Sequence, residues 1–236
     1  MKQLQSTLDQ IVSSLKGALG DNLYSCCVYG SAVRGDAIEG VSDINLLILL
    51  NDSNPEAHVA IGKAIGKDPQ IDPFILGRKG FERSVRAFAP KFVSIRRNYR
   101  VVFGADPLKE IKVEPELERF LCEQALRNLR LRLAHAFITR EQSRRYPFVL
   151  ARCCTPLLLR LSEVLRLNGR ELAREMPARI PMLAQEFGIE EALLRDLVAF
   201  KRNPQKLSDQ EMVAWHKRLF PAVDKALAWV EAKWPA

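Results

Sequence analysis

The sequence predicts an α/β (α+β) domain built on a small mixed sheet, followed by an all-α helical bundle. Two observations carry this. Residues 1–110 alternate between short apolar runs of strand length and segments with helical spacing. From about Glu114 the strand signals stop, and the remaining apolar positions recur at three- and four-residue intervals. The expected division is therefore 1–110 and 111–236, joined near "ADPLKEIKVEPE", residues 105–116, with its two prolines and mixed charge.

Each element follows from its own pattern. Leu4, Leu8, Ile11, Val12, Leu15 and Leu19 line one side of a helix over residues 3–19. "LYSCCVY" (23–29) and "QIDPFIL" (70–76) are strand candidates. "INLLILL" (44–50) is an almost unbroken apolar run, as expected of a strand covered on both faces. Between them, residues 55–67 are helical, with Ser53 or Asn54 as N-cap. Residues 80–99 are helical with a break at Pro90, and 100–108 form a short strand and turn.

In the second half, residues 115–145 predict one long helix. Its apolar stripe runs through Leu117, Leu121, Ala125, Leu129, Leu133 and Phe137. A second helix over 147–167 contains Pro156, expected to kink it, and ends with Gly169 at C′. Shorter helices follow near 179–187 and 189–201. The last spans about 208–233, with Ser208 as N-cap and Leu219, Val223, Leu227, Val230 and Trp234 on one side.

Composition narrows the class. Hydrophobic residues make up 47% and charged residues 27% of the 236, as in ordinary globular proteins. No run approaches the ~20 apolar residues of a membrane span, and the first residues lack the apolar core and cleavage site of a signal peptide. The expectation is a cytoplasmic protein without membrane contact. Cys26, Cys27, Cys122, Cys153 and Cys154 fit it: adjacent pairs in apolar runs predict buried free thiols, and no Cys-x-x-Cys spacing suggests zinc. Residues 1–110 carry 14 Lys and Arg against 12 Asp and Glu, and residues 111–236 carry 22 against 16. The basic second half suits an anionic partner or a solvated, arginine-rich surface. The interspersed acids argue against a continuous nucleic-acid-binding face.

The chemistry concentrates in "YGSAVRGDAIEGVSDINLLILL", residues 29–50. A strand ending at Gly30-Ser31 offers backbone N–H groups and a hydroxyl at the sheet edge, where a following helix start favours phosphate. Asp43 opens the next strand, and Asp43 and Asn45, two apart, point to one face. Two oxygen donors beside a phosphate cradle make a divalent-cation site. Asp72 either supplies a further oxygen from the third strand or merely starts that strand before Pro73.

This stretch resembles the nucleotidyltransferase signature of the DNA polymerase beta superfamily: Gly-Ser, about ten residues, then Asp-x-Asp/Glu opening an apolar strand. Val33-Arg34-Gly35, Ser42-Asp43-Ile44 and the later "VVFGADPL" add to the resemblance. The helical second half is similar in architecture to aminoglycoside nucleotidyltransferases and to small antitoxin-type relatives. The resemblance implies transfer of a nucleoside monophosphate from a nucleoside triphosphate, with Mg²⁺ or Mn²⁺, to a small-molecule or protein hydroxyl. It places Gly30, Ser31 and Arg34 on phosphate, and Asp43, Asn45 and Asp72 on metal, with Asp72 as base toward the acceptor. The family has a carboxylate where this chain has Asn45. A neutral amide there predicts a weakened second metal, or a degenerate, catalytically inactive module that binds nucleotide or a partner protein.

In the second half Arg127, Arg130, Arg132, Arg140, Arg144 and Arg145 crowd the long helix, where they either face an anion or form inter-helix ion pairs. Arg130 and His135 also resemble the Arg-x₄₋₆-His motif of HEPN ribonucleases. At five residues' separation they stand about 140° apart on a straight helix, and His135 reads more readily as structural.

Overall fold

The computed structural model describes residues 2–34 and 43–234. The chain divides into two compact units, Met1–Glu114 and Pro115–Ala236. The first holds a four-stranded mixed sheet and the second is all-helical.

The first unit runs α1 (Lys2–Leu19), β1 (Leu23–Tyr29), α2 (Ser31–Arg34), β2 (Ile44–Leu50), α3 (Pro55–Ile65), β3 (Ile71–Gly77), α4 (Phe81–Ala87), α5 (Ala89–Arg97) and β4 (Tyr99–Gly104). The strand order is β3-β2-β1-β4, with β1 antiparallel to β2 and β4, and β2 parallel to β3. The unbroken apolar run of β2 has a direct cause: both sheet faces are covered. Leu46, Ile48 and Leu50 pack with Leu8, Ile11 and Leu15 of α1 and Ala57, Ile61 and Ile65 of α3. Leu47 packs on the other face with Val85 of α4 and Phe92 and Ile95 of α5. The neighbouring thiols of β1 split accordingly, Cys26 to the first face and Cys27 to the second.

Local chemistry sets the element ends. Asn54 caps α3, its Oδ1 accepting from the Ala57 N–H at 2.9 Å. The predicted break at Pro90 falls two residues earlier, at Phe88: Pro90 stands in the first turn of α5, where its missing N–H costs nothing. The short strand and turn expected over 100–108 divide at Gly104: β4 ends there, where Gly104 adopts φ +75° and the chain turns. A Cβ at Gly104 would run into the Tyr24 carbonyl oxygen. Asp106 then holds the turn, accepting from the Leu108 N–H at 2.9 Å and the Tyr99 hydroxyl at 2.8 Å. Gly104→Ala is expected to destabilise the protein by about 2 kcal/mol, from left-handed backbone strain plus the clash. An unchanged urea midpoint would contradict this.

The second unit contains α6 (Pro115–Ile138), α7 (Arg140–Ser143), α8 (Tyr146–Leu167), α9 (Met176–Phe187), α10 (Glu191–Arg202) and α11 (Asp209–Lys233). The predicted single helix over 115–145 stops at Ile138. Thr139 bonds back to the His135 carbonyl through its hydroxyl at 2.9 Å, and Arg144 takes a left-handed φ of +48°. The buried side of α6 also differs from the predicted stripe: Glu118, Cys122, Leu126, Leu129, Leu133 and Ala136 face inward, while Leu117, Leu121 and Ala125 are only half-buried. α8 continues as one helix through Pro156. It closes in a Schellman motif, with the Gly169 N–H on the Arg166 carbonyl and the Arg170 N–H on that of Leu165. Ser208 and Glu211 form a capping box at the start of α11.

Three of the arginines of the α6 region form ion pairs within this bundle. Arg127 pairs with Glu123 at 2.7 Å and Glu231 at 2.8 Å, Arg130 with Asp224 at 2.5 Å, and Arg140 with Asp209 at 2.7 Å. Arg130 also lies over the Phe220 ring, so its guanidinium is held among α11 side chains while His135 is exposed. All five cysteines are free and buried. Among the described residues no helix is long and apolar enough to cross a membrane.

Candidate functional site

The register of the sheet assembles the site. Asp72 of β3 lies opposite Asn45 of β2, Asn45 opposite Tyr29 of β1, and Tyr29 opposite Tyr99 of β4. Residues paired across a ladder project to the same face, so one row runs across the sheet at the end where β1 leaves and β2 and β3 begin. Asp43 immediately precedes β2, two residues before Asn45. Asp43 and Asp72 are exposed and Asn45 is half-buried. The sheet thus brings Asn45 and Asp72 to one end and one face, the face covered further along by α4 and α5, with Asp43 at the same end.

Gly30 makes the turn at the head of this row. Its φ is +82°, a conformation that L side chains rarely adopt. A Cβ would meet the Asn45 Nδ2 at 3.5 Å, an ordinary contact, so backbone conformation rather than space calls for glycine. The Gly30 N–H donates to the Asn98 carbonyl at 3.0 Å, tying the turn to the chain between α5 and β4. That N–H is therefore not a phosphate donor in this state. The Val33 N–H is likewise taken, by the Gly30 carbonyl at 3.1 Å, so a phosphate at the start of α2 would meet the N–H groups of Ser31 and Ala32. Ser31 and Arg34 belong to α2 by backbone. The readings placed on their side chains, and on Gly35 and Ser42, lie outside the described residues.

Among the described residues the Asn45 side chain makes one hydrogen bond: its Nδ2 donates to the Asp43 backbone carbonyl at 3.2 Å. The amide oxygen is the remaining end and the one able to ligate a cation. Two side chains absent from the sequence reading complete the surroundings. Tyr29 is nearly buried, and burial first, then the Asp72 charge, raises its phenol above the ordinary range. Lys91 of α5 sets its Nζ 3.8 Å from the centroid of the Phe74 ring, two residues along β3 from Asp72. Burial lowers its pKa, and the Asp72 carboxylate pulls it back up. Tyr29 was legible as the residue preceding the Gly-Ser turn. Nothing local marks Lys91, which sits in an amphipathic helix and reaches Phe74, two residues along β3 from the row, only through the sheet topology.

The donor set is two carboxylates and one amide. Among the described residues no group of three or more His, Cys, Asp or Glu side chains could hold a metal ion. The set would offer one divalent cation, arriving with a triphosphate, the Asp43 carboxylate and the Asn45 amide oxygen. It does not suit two cations, which need a bridging carboxylate. A separate cleft of about 500 Å³ opens at the far end of the strands, lined by Tyr24, Leu49, Arg78, Gly80 and Phe81, away from these groups.

Residues 8–103 match the model of the nucleotidyltransferase domain. No curated protein matches the sequence significantly. Among solved structures, spectinomycin adenyltransferase AAD(9) from Enterococcus faecialis, determined with ATP and spectinomycin, has a similar fold. The match has a TM-score of 0.59 at 10% identity and covers 93% of this chain and 99% of that one.

Proposed function

Because residues 8–103 form a nucleotidyltransferase domain of the DNA polymerase beta type, we propose that the chain transfers a nucleoside monophosphate from a nucleoside triphosphate to a hydroxyl group. The observation that carries this is the row itself: Asp72 paired in register with Asn45, and Asp43 two residues away beside the Gly30 turn. The acceptor hydroxyl oxygen attacks the α-phosphorus, and its proton passes to the Asp72 carboxylate. The bond from α-phosphorus to the bridging oxygen breaks, and pyrophosphate leaves with the electron pair. Asp43 and the Asn45 oxygen would hold Mg²⁺ or Mn²⁺, which when bound neutralises charge on the triphosphate. The first turn of α2, with Ser31 and Arg34, receives the phosphates. The likeness to a fold solved with ATP and spectinomycin makes ATP and small-molecule alcohols the first probes, ahead of a protein acceptor.

The neutral amide at Asn45 favours a second reading, a domain that binds nucleotide without turning it over and acts through a partner. One experiment separates the two: labelled nucleoside triphosphates with Mg²⁺ or Mn²⁺, with binding and pyrophosphate release measured apart. The transferase reading expects slow release, made ~10²-fold faster by Asn45→Asp, the scale of one preorganised electrostatic group. Tight binding with no release from either protein would leave the binding module standing.

A further inference from the structure

The cleft at the far end of the strands is built around one arginine. Arg78 directly follows β3, and its backbone N–H donates to the Leu50 carbonyl at 2.8 Å. Its guanidinium lies over the Tyr24 ring, 4.2 Å from the centroid, and its Nη1 donates to the Asn51 Oδ1 at 3.1 Å. Asn51 is itself held: its N–H donates to the Asn22 carbonyl at 2.9 Å and its Nδ2 to the Asp21 carbonyl at 2.6 Å. Backbone, ring face and one N–H of the arginine are therefore fixed, so little rotamer entropy is left to lose when a ligand arrives. Yet Arg78 makes no ion pair among the described residues. The neighbouring acids are engaged: Asp52, beside Asn51, accepts from the Asn54 Nδ2 at 2.7 Å, and Asp106, beside Pro107, accepts from the Leu108 N–H and the Tyr99 hydroxyl. What remains open on Arg78 is the Nε–Nη2 edge, which matches two oxygens of one anion.

The cleft beside this arginine, about 500 Å³, has apolar and aromatic walls in Leu49, Phe81, Pro107 and the Tyr24 ring, and a second guanidinium in Arg83. That volume is in the range of small-molecule sites. Two guanidiniums favour a phosphate monoester, which carries about −1.5 to −2 at neutral pH, over a singly charged carboxylate. Glu82 also lines the cleft and opposes a bare anion, so the walls must contribute by covering an apolar body. We propose that this cleft is a binding site, separate from the catalytic row, for a small phosphate monoester with an aromatic or apolar body. Arg78 takes two phosphate oxygens through its open edge, and the walls take the body. The inference is independent of the transferase reading, because Asp43, Asn45 and Asp72 have no part in the cleft.

Phenyl phosphate is the probe, titrated without metal into the full chain and followed by amide chemical shifts. Saturable shifts are expected at Gly80, Phe81 and Arg83 and none at Gly30, and a saturating non-hydrolysable ATP analogue with Mg²⁺ should not displace the probe. Inorganic phosphate, which lacks the ring, and benzoate, which lacks the second charge, should each bind about tenfold more weakly. Arg78→Met should weaken phenyl phosphate binding ~10-fold or more, the scale of a hydrogen bond to a charged group. Arg78→Lys should lose nearly as much, because an ammonium keeps the charge but not the fork. Arg78 is exposed, so both variants should stay folded, as their spectra away from the cleft will show. Unsaturable shifts, displacement by the ATP analogue, or wild-type affinity in Arg78→Lys would overturn the proposal. Inorganic phosphate binding as tightly as phenyl phosphate would also overturn it, leaving a surface contact with an anion only.

Discussion

Asp43→Ala is expected to reduce pyrophosphate release by at least ~10³-fold and to weaken Mn²⁺ binding in the presence of nucleotide. Among the described residues Asp43 is the carboxylate nearest in sequence to the turn at Gly30, and with Asn45 neutral β2 itself offers no acidic side chain to substitute for it. Removing one preorganised electrostatic group costs 10²–10³ in comparable sites, and a lone anchoring carboxylate should lie at the upper end or beyond. The fold should not notice. Asp43 is exposed and precedes β2, and the group that orients Asn45 is its backbone carbonyl, which alanine retains. Thermal unfolding within ~0.5 kcal/mol of wild type, together with lost release, is the expected pair of results. Undiminished release in a folded Asp43→Ala protein would refute the assignment of the site.

The largest expected stability effect lies in the helical unit. Glu118 and Glu163 are 6% and 4% exposed at their side chains, and both bond Arg166, Glu163 at 3.1 Å. Arg166→Met removes the cation the two carboxylates share, at an expected cost of about 3–5 kcal/mol, read as a shift in the urea midpoint. The sign of its pH dependence follows. Without the guanidinium, burial raises both carboxyl pKa values in the folded state above those of the unfolded chain. The deficit relative to wild type should therefore be full at neutral pH and shrink as pH falls into the carboxylate range. A deficit independent of pH would mean that lost packing, not charge, is responsible.

The first unit was legible wherever a pattern was local. β2 announced its double coverage by its apolar run, and Asp43 and Asn45 announced a shared face by their spacing. What the sequence could not convey was set by residues far away. Glu118 reads as a solvated acid in a helix until Arg166, 48 residues on, explains its burial. At that end of α6 Glu118, Cys122 and Leu126 face inward in place of Leu117, Leu121 and Ala125, while Leu129 and Leu133 stay on the buried side as expected. The end of α6 at Ile138 was hidden because Thr139 is a neutral signal and the left-handed turn falls on Arg144, not on a glycine. Gly30 was recognisable as a turn, but not that its N–H is occupied by Asn98. Lys91 needed the whole β3–α5 arrangement.

β3 is an edge strand, and this sets a timescale. The Ile44 N–H donates to the Gln70 carbonyl, and the Arg78 N–H to that of Leu50. Even-numbered residues of β3 therefore turn their N–H groups toward β2, and Pro73, which has none, faces outward. Another strand cannot dock at that point. The strand carrying Asp72 consequently has one neighbour, whereas β2, which follows Asp43, has two. In hydrogen exchange the amides of Asp72 and Phe74 should lose protection at lower opening energy than those of Leu46 and Ile48. The residue proposed to take the proton thus sits on an edge of the sheet, while the strand after Asp43 is held from both sides.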